Sequence, residues 1–202
     1  MWSWVLNWGQ ITPEILIGTC PMTTDDLERI HVETGVTGIL SLQHDECLSY
    51  WQIDFDEIKK TADRLHIEIV RCPIRDFDVP DMRRNLPKAV ASLAKLLSQG
   101  HKTFVHCTAG MGRAPLTVLA YLVWLKKVSP EDAIRLILEG RPEAVPAWEA
   151  LYGARKDMVN LYRAKIQMYA YFLYEQGLNT NSETDWNQAE VEVIKSELSS
   201  FA

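Results

Sequence analysis

From residue 106 the chain reads His106-Cys107-Thr108-Ala109-Gly110-Met111-Gly112-Arg113, and these residue types at this spacing can hold and attack a phosphate. Five residues separate the cysteine from the arginine, and Gly110 and Gly112 let the backbone between them curl tightly. Successive backbone N–H groups from Thr108, Ala109, Gly110, Met111 and Gly112 can then face one concavity, an anion nest at a helix N-terminus. Arg113 adds a planar fork that binds two phosphate oxygens at once. The same positive field favours thiolate over thiol at Cys107, and a thiolate facing a cradled phosphate is an in-line nucleophile. The expected intermediate is a phosphocysteine. An isolated cysteine after a strand is more often buried and inert; two glycines and an arginine at these offsets argue against that here.

Such a loop needs a strand to deliver it and a helix to receive it. Thr103 to Val105 reads as a short hydrophobic strand running into His106, and a helix is expected over about 114–127. Upstream, strands are expected at Ile15 to Gly18, Val36 to Leu42 and Ile67 to Cys72. Helices are expected near Leu27 to Glu33, capped from Thr23-Thr24-Asp25-Asp26, and over Ile53 to Leu65 and Leu86 to Leu97. Pro73 to Asp81 reads as an extended, charged loop. After Arg113 the pattern is helical only, with further runs over about 130–139 and 147–175. The alternation predicts a single α/β domain, a short mostly parallel sheet of about four or five strands flanked by helices. Residues 1–176 form this domain with an N-terminal strap, and 177–202 a polar, acidic extension. Within the extension, Trp186 to Leu198 reads as one amphipathic helix docked by Trp186, Val193 and Ile194, or as a frayed tail.

The bulk numbers narrow the partners. A net charge of −6 over 202 residues argues against nucleic acid held on a broad basic surface, yet allows one concentrated positive pocket. Cys20, Cys47, Cys72 and Cys107 show no CxxC pairing, and the five histidines form no cluster. Free thiols in a reducing compartment follow, with no metal and no cofactor expected. The first ten residues have neither a basic start nor a long apolar run, and no stretch is long enough to span a membrane. No membrane partner is expected, and a cytoplasmic location is the default, a plastid following only if a transit peptide once preceded the chain.

The His-Cys-x5-Arg loop resembles the signature of the protein tyrosine phosphatase superfamily, in the short form of its dual-specificity branch. Ala114 departs from the Ser or Thr that usually follows the arginine there and helps the thiolate leave. Phosphate ester cleavage also needs a proton for the departing oxygen. In that family it comes from an Asp on a loop about 30 residues before the cysteine. The resemblance points to Asp76, in Arg75-Asp76-Phe77-Asp78, 31 positions before Cys107. Asp78 is the runner-up, and Asp81 fits a helix cap better than an acid.

A narrower resemblance, over about residues 8–161, is to the glucan phosphatases, namely the plant starch-excess phosphatases and, more distantly, laforin. Cys107 to Pro115 has their Ala-Gly-x-Gly-Arg-Ala-Pro form, which accounts for Ala114. Arg75-Asp76-Phe77-Asp78 is similar to their acid loop, and Ser49-Tyr50-Trp51-Gln52-Ile53-Asp54 to their aromatic variable loop. The resemblance implies a phosphorylated glucan substrate, with Tyr50, Trp51, Phe77 and Trp8 offering rings for sugar faces. From composition alone those aromatics read as packing. The chain has no room for the carbohydrate-binding module often found in the plant enzymes, and within Arg141 to Trp148 Glu143 stands where a more basic or neutral residue is expected. Trp148 and Tyr152 are read as helix packing before any added platform.

Two other functions share these residues. A protein phosphatase acting on phosphotyrosine or phosphoserine/threonine would differ only in channel lining. A non-catalytic glucan-binding scaffold is argued against by the intact Cys107, Arg113 and Asp76. A phosphoinositide phosphatase is disfavoured by neutral Thr108, Ala109 and Met111, where lysines would grip a multiply charged headgroup.

Overall fold

The computed structural model describes residues 3–177 and 181–200; Trp2 lies outside them. Five strands, β1 (Trp8–Thr12), β2 (Ile15–Gly18), β3 (Gly38–Gln43), β4 (Glu68–Ile74) and β5 (Thr103–His106), form one sheet in the order β1-β2-β5-β3-β4. β1 runs antiparallel to β2, and all other neighbours are parallel. The domain is therefore α/β with a mostly parallel sheet, as its sequence predicts.

The three middle strands are buried along their whole length, as a sheet covered on both faces requires. Their side chains alternate between two cores. Leu16, Ile39 and Phe104 join one cluster with Leu27 and Ile30 of α1 (Thr24–Thr34) and Ile58 of α3 (Phe55–Arg64). Ile17, Leu40 and Val105 join the other, with α4 (Val79–Ser98), α5 (Arg113–Trp124), α6 (Pro130–Gly140) and α7 (Trp148–Leu161). Ile194 and Leu198 of α9 (Ser182–Ser200) reach this second core. Val193, with Trp186 beside it, packs instead on Ile166 and Leu173 of α8 (Arg163–Glu175).

The structure corrects several expected elements. α4 begins at Val79, not near Leu86, because Asp78 accepts from the Asp81 N–H at 2.9 Å and Pro80 sits in the first turn. There a missing N–H costs nothing. The charged loop thus shortens to a few residues around Asp76. The run expected over 147–175 breaks at Tyr162 into α7 and α8. β1 and the short α2 (Asp45–Tyr50) were not legible as elements.

Candidate active site

The ends of three adjacent parallel strands and the start of one helix converge at the carboxyl edge, where open parallel sheets place ligands. β5 ends at His106, α5 starts at Arg113, β4 ends at Ile74 just before Asp76, and β3 ends at Gln43. Between β5 and α5, Gly110 sits at φ +67°, and a Cβ there would come within 2.4 Å of the Gly18 carbonyl oxygen. Only glycine suits this apex.

Arg113 is the side chain around which the site is organised. Its side chain is fully buried, and its fork is held from several sides. Nη1 donates to the Ile74 carbonyl at 2.9 Å and to Cys47 Sγ at 3.4 Å; Nη2 donates to Asp76 Oδ2 at 2.8 Å and to Thr108 Oγ1 at 3.3 Å. Burial works against its charge, but Cys107 and Asp76 outweigh this and hold its pKa above the usual guanidinium value. Gln43 Nε2 also donates to Thr108 Oγ1, at 3.3 Å, bracing the first residue after the nucleophile.

Two neighbours are held uncharged. His106 donates from Nδ1 to the Cys107 carbonyl at 3.0 Å, since a carbonyl can only accept. Its burial pushes its pKa down to about 4, with Arg113 and Arg71 adding to the effect. Cys20, behind the loop, is pushed up to about 12 by burial and by the charge of Cys107, so it stays a thiol.

The acid candidates separate by geometry. Asp78 is taken up in capping α4, and Asp81 accepts from the Arg75 N–H at 2.9 Å. Asp76 instead reaches the Arg113 fork and, with Cys107, lines a cavity of about 450 Å³. Phe77 lines the same cavity, 95% exposed and at φ +57°, a strained backbone for an aromatic residue. That turn sends Asp76 inward and Phe77 outward.

The remaining aromatic candidates lie elsewhere. Tyr50, 79% exposed, and Trp51 form an edge-on pair 5.3 Å apart at the end of α2, outside the residues lining the cavity. Trp8 is also outside it: its ring meets Phe104 edge-on at 6.4 Å, with Arg29 5.7 Å above. An edge strand packed onto the α1 side of the sheet leaves Trp8 as part of that core. Trp148 and Tyr152 stack on each other at 5.9 Å along α7. Beside Cys107 the walls are aliphatic, from Val79, Met82, Met111 and Val145. Sequence reasoning named Met111 for its backbone, not as a wall, and missed Val79, Met82, Val145 and Arg141, which contacts the loop from behind. Arg141 and Val145 had no local signal beyond an Arg-Pro step at the end of α6.

A strand–loop–helix that presents a cysteine to a cavity shared with an aspartate, and holds a buried arginine against that aspartate, is an arrangement suited to cysteine-dependent phosphoryl transfer. Residues 43–157 match the family described as "Dual specificity phosphatase, catalytic domain", and the chain belongs to that family. It is 34% identical over 163 residues to "Phosphoglucan phosphatase DSP4, amyloplastic" of Castanea sativa, covering 80% of this chain and 43% of that relative. It is 30% identical over 132 residues to the human "Phosphatidylglycerophosphatase and protein-tyrosine phosphatase 1", covering 65% of this chain and 63% of that one. A solved structure of PTPMT1 matches the fold with a TM-score of 0.59 at 24% identity, covering 78% of this chain and 99% of the other. The chain spans less than half of the plant relative's length. Among the described residues, no helix is long and apolar enough to cross a membrane.

Proposed function

We propose that the protein hydrolyses phosphate monoesters on an α-glucan through a phosphocysteine on Cys107. Cys107 and Asp76 lining one cavity, with the buried Arg113 bonded to Asp76 just beneath it, carries the phosphatase part of this reading. Arg113 Nε is buried with no partner among the described residues, and a buried donor gains from the acceptor that a phosphate oxygen supplies. Thr108, Ala109, Gly110, Met111 and Gly112 contribute the backbone cradle. The α5 N-terminus adds its partial positive charge.

In the first step the Cys107 thiolate forms an S–P bond as the ester P–O bond breaks, and Asp76 gives its proton to the departing oxygen. In the second, Asp76 takes a proton from water, whose oxygen attacks phosphorus while the S–P bond breaks. Phosphate and Asp76 compete for Nη2 of Arg113, so substrate binding frees the carboxyl to face the leaving group.

The glucan part rests on the plant relative's name and on Phe77, an exposed ring beside the acid. Phosphate release from phosphorylated amylopectin, measured against an aryl phosphate with Cys107→Ser as blank, tests it. A glucan signal no higher than the blank beside active aryl phosphate hydrolysis would overturn the glucan part alone. In this reading the enzyme works wherever the polymer is stored, in a plastid for starch or the cytoplasm for a glycogen-like chain.

A second reading is favoured by the aliphatic walls of Val79, Met82, Met111 and Val145 beside Cys107. Such walls suit an ester on an amphiphilic alcohol, the chemistry that the human relative's name describes. Phosphatidylglycerophosphate in mixed micelles, assayed in parallel, decides between the two.

A further inference from the structure

The carbonyls of the phosphate loop are all held from outside. The Cys107 oxygen accepts from His106 Nδ1 at 3.0 Å, and that of Thr108 from the Cys20 N–H at 3.1 Å. The Ala109 oxygen accepts from Arg141 Nη2 at 2.7 Å, and that of Gly110 from Arg141 Nε at 3.3 Å. The Met111 oxygen accepts from the Val145 N–H at 2.7 Å, and that of Gly112 from the Leu116 N–H at 3.0 Å. In a trans peptide the N–H points opposite to the C=O of the same plane, and no cis peptide occurs among the described residues. Holding the Ala109 oxygen outward therefore aims the Gly110 N–H inward. Holding the Gly110 oxygen aims the Met111 N–H inward.

Four of these six anchors are short-range or backbone contacts set by the fold. The two at the apex come from one side chain, and they flank Gly110, the residue whose backbone is freest to rotate. Arg141 suits the task. It is 7% exposed, follows α6 with its own N–H donating to the Ile137 carbonyl, and its Nη1 donates to Asn7 Oδ1. The strap thereby fixes the guanidinium that fixes the loop, because the Asn7 backbone is itself bonded to Thr19. Glu143, the acid that looked out of place in the sequence, has Oε2 4.0 Å from Arg141 Nε. It balances a charge that faces the loop's back, not the substrate.

We propose that Arg141 is a positioning residue of the phosphate cradle: it locks the two apical peptides so that their N–H groups, not their carbonyls, meet the phosphate. The inference rests on the cysteine-phosphatase reading and is independent of which ester is cleaved. Without the fork, either peptide can turn over and present a carbonyl oxygen to an anion.

Arg141→Met, which keeps the stem and loses the fork, is compared with Arg141→Lys and wild type. The readouts are aryl phosphate kcat and KM, orthovanadate affinity by calorimetry, and melting temperature. The expected result is a folded Arg141→Met with vanadate affinity about tenfold weaker and kcat/KM about a hundredfold lower, the size seen when one oxyanion donor is lost. Arg141→Lys should fall between, since one ammonium can reach one carbonyl but not both. Added methylguanidinium should restore part of the Arg141→Met activity, which a purely structural defect would not show. Vanadate affinity and kcat/KM within twofold of wild type in a folded Arg141→Met would overturn the proposal. If Arg141→Met does not fold, the same threshold applied to Arg141→Lys decides. If wild type turns over no aryl phosphate, the phosphatase reading fails, while vanadate binding still judges Arg141.

Discussion

The phosphate loop and the rim around it are built by opposite rules. In the loop, Cys107 is 2% exposed, Arg113 1%, and every carbonyl from Cys107 to Gly112 has a donor behind it. At the rim, Phe77 stands almost fully in solvent on a strained backbone, and Tyr50, farther off at the end of α2, is also exposed. A group that must stabilise a transition state gains from being unable to move, because reorganising dipoles during the reaction costs free energy. A group that only steers a large substrate needs reach and an accessible face. In the proposed function, chemistry is thus fixed by the interior, and substrate choice is left to exposed side chains such as Phe77.

The largest effects should fall inside the loop. Arg113→Met removes both fork contacts to phosphate and leaves Asp76 without its partner, so kcat/KM on any ester should drop about a thousandfold or more. Steady-state kinetics on an aryl phosphate checks this; a loss under tenfold would mean that the backbone cradle alone carries the anion. Asp76→Asn should be more selective. It should cost about a hundredfold or more on an alkyl or sugar phosphate, whose alkoxide needs a proton, and far less on a nitrophenyl ester. Equal losses on both would move the acid role away from Asp76.

The rim should respond the other way. Phe77→Ala should reduce kcat/KM on phosphorylated amylopectin about tenfold through KM while leaving the aryl phosphate rate within twofold, the size of one lost stacking contact. Phe77→Gly should show the same kinetics and a stability gain of about 1 kcal/mol, because glycine relaxes the positive φ. If both substrates fall together, the ring is supporting Asp76, and the contrast between rim and loop weakens at that point.

How much of this the sequence reveals follows from where each contact comes from. The cradle is legible because its chemistry is packed into eight successive residues, His106 to Arg113, whose spacing has few other uses. The sheet is legible because Leu16, Ile39 and Phe104 alternate with Ile17, Leu40 and Val105, a period that only a strand buried on both faces needs. Asp76 stood out only through resemblance, since locally it looks like Asp78 and Asp81; burial of Arg113 against it is what tells them apart. Arg141 contacts residues 31 and 32 positions away, and the walls join Val79 and Met82 of α4 to Val145, far along the chain. Nothing in their own neighbourhoods marks them. Trp8 shows the converse: an aromatic that looks available for sugar but faces Phe104 once β1 joins the edge of the sheet.

Acidity should separate stability from activity. His106 has a folded pKa of about 4 against about 6.5 when unfolded. Below pH 6.5 the unfolded chain takes up a proton that the folded chain refuses, so this residue's contribution to stability declines as pH falls from 6.5 to 4 and is level outside that window. The gap corresponds to a few kcal/mol at most. Denaturant midpoints measured across that range should fall with pH, and a His106→Asn variant, able to donate a similar hydrogen bond, should flatten the slope. An unchanged slope in the variant would assign the acid sensitivity to carboxylates instead.

The smallest expected change in rate comes from setting a core aromatic against an exposed one. Trp8→Ala removes a ring packed on Phe104 and under Arg29, and should cost about 2 kcal/mol of stability, less than a fully buried tryptophan. Its glucan-to-aryl rate ratio should not move, because its contacts lie on the α1 side of the sheet and not in the cavity at Cys107. Tyr50→Ala should do the reverse: at 79% exposure it contributes little to stability, so any change has to appear in the rate ratio. Melting temperatures and paired rates for the two variants give the comparison directly. A fall in the ratio for Trp8→Ala would extend the substrate surface across the sheet edge, and an unchanged ratio for Tyr50→Ala would confine it to Phe77 and the walls beside Cys107.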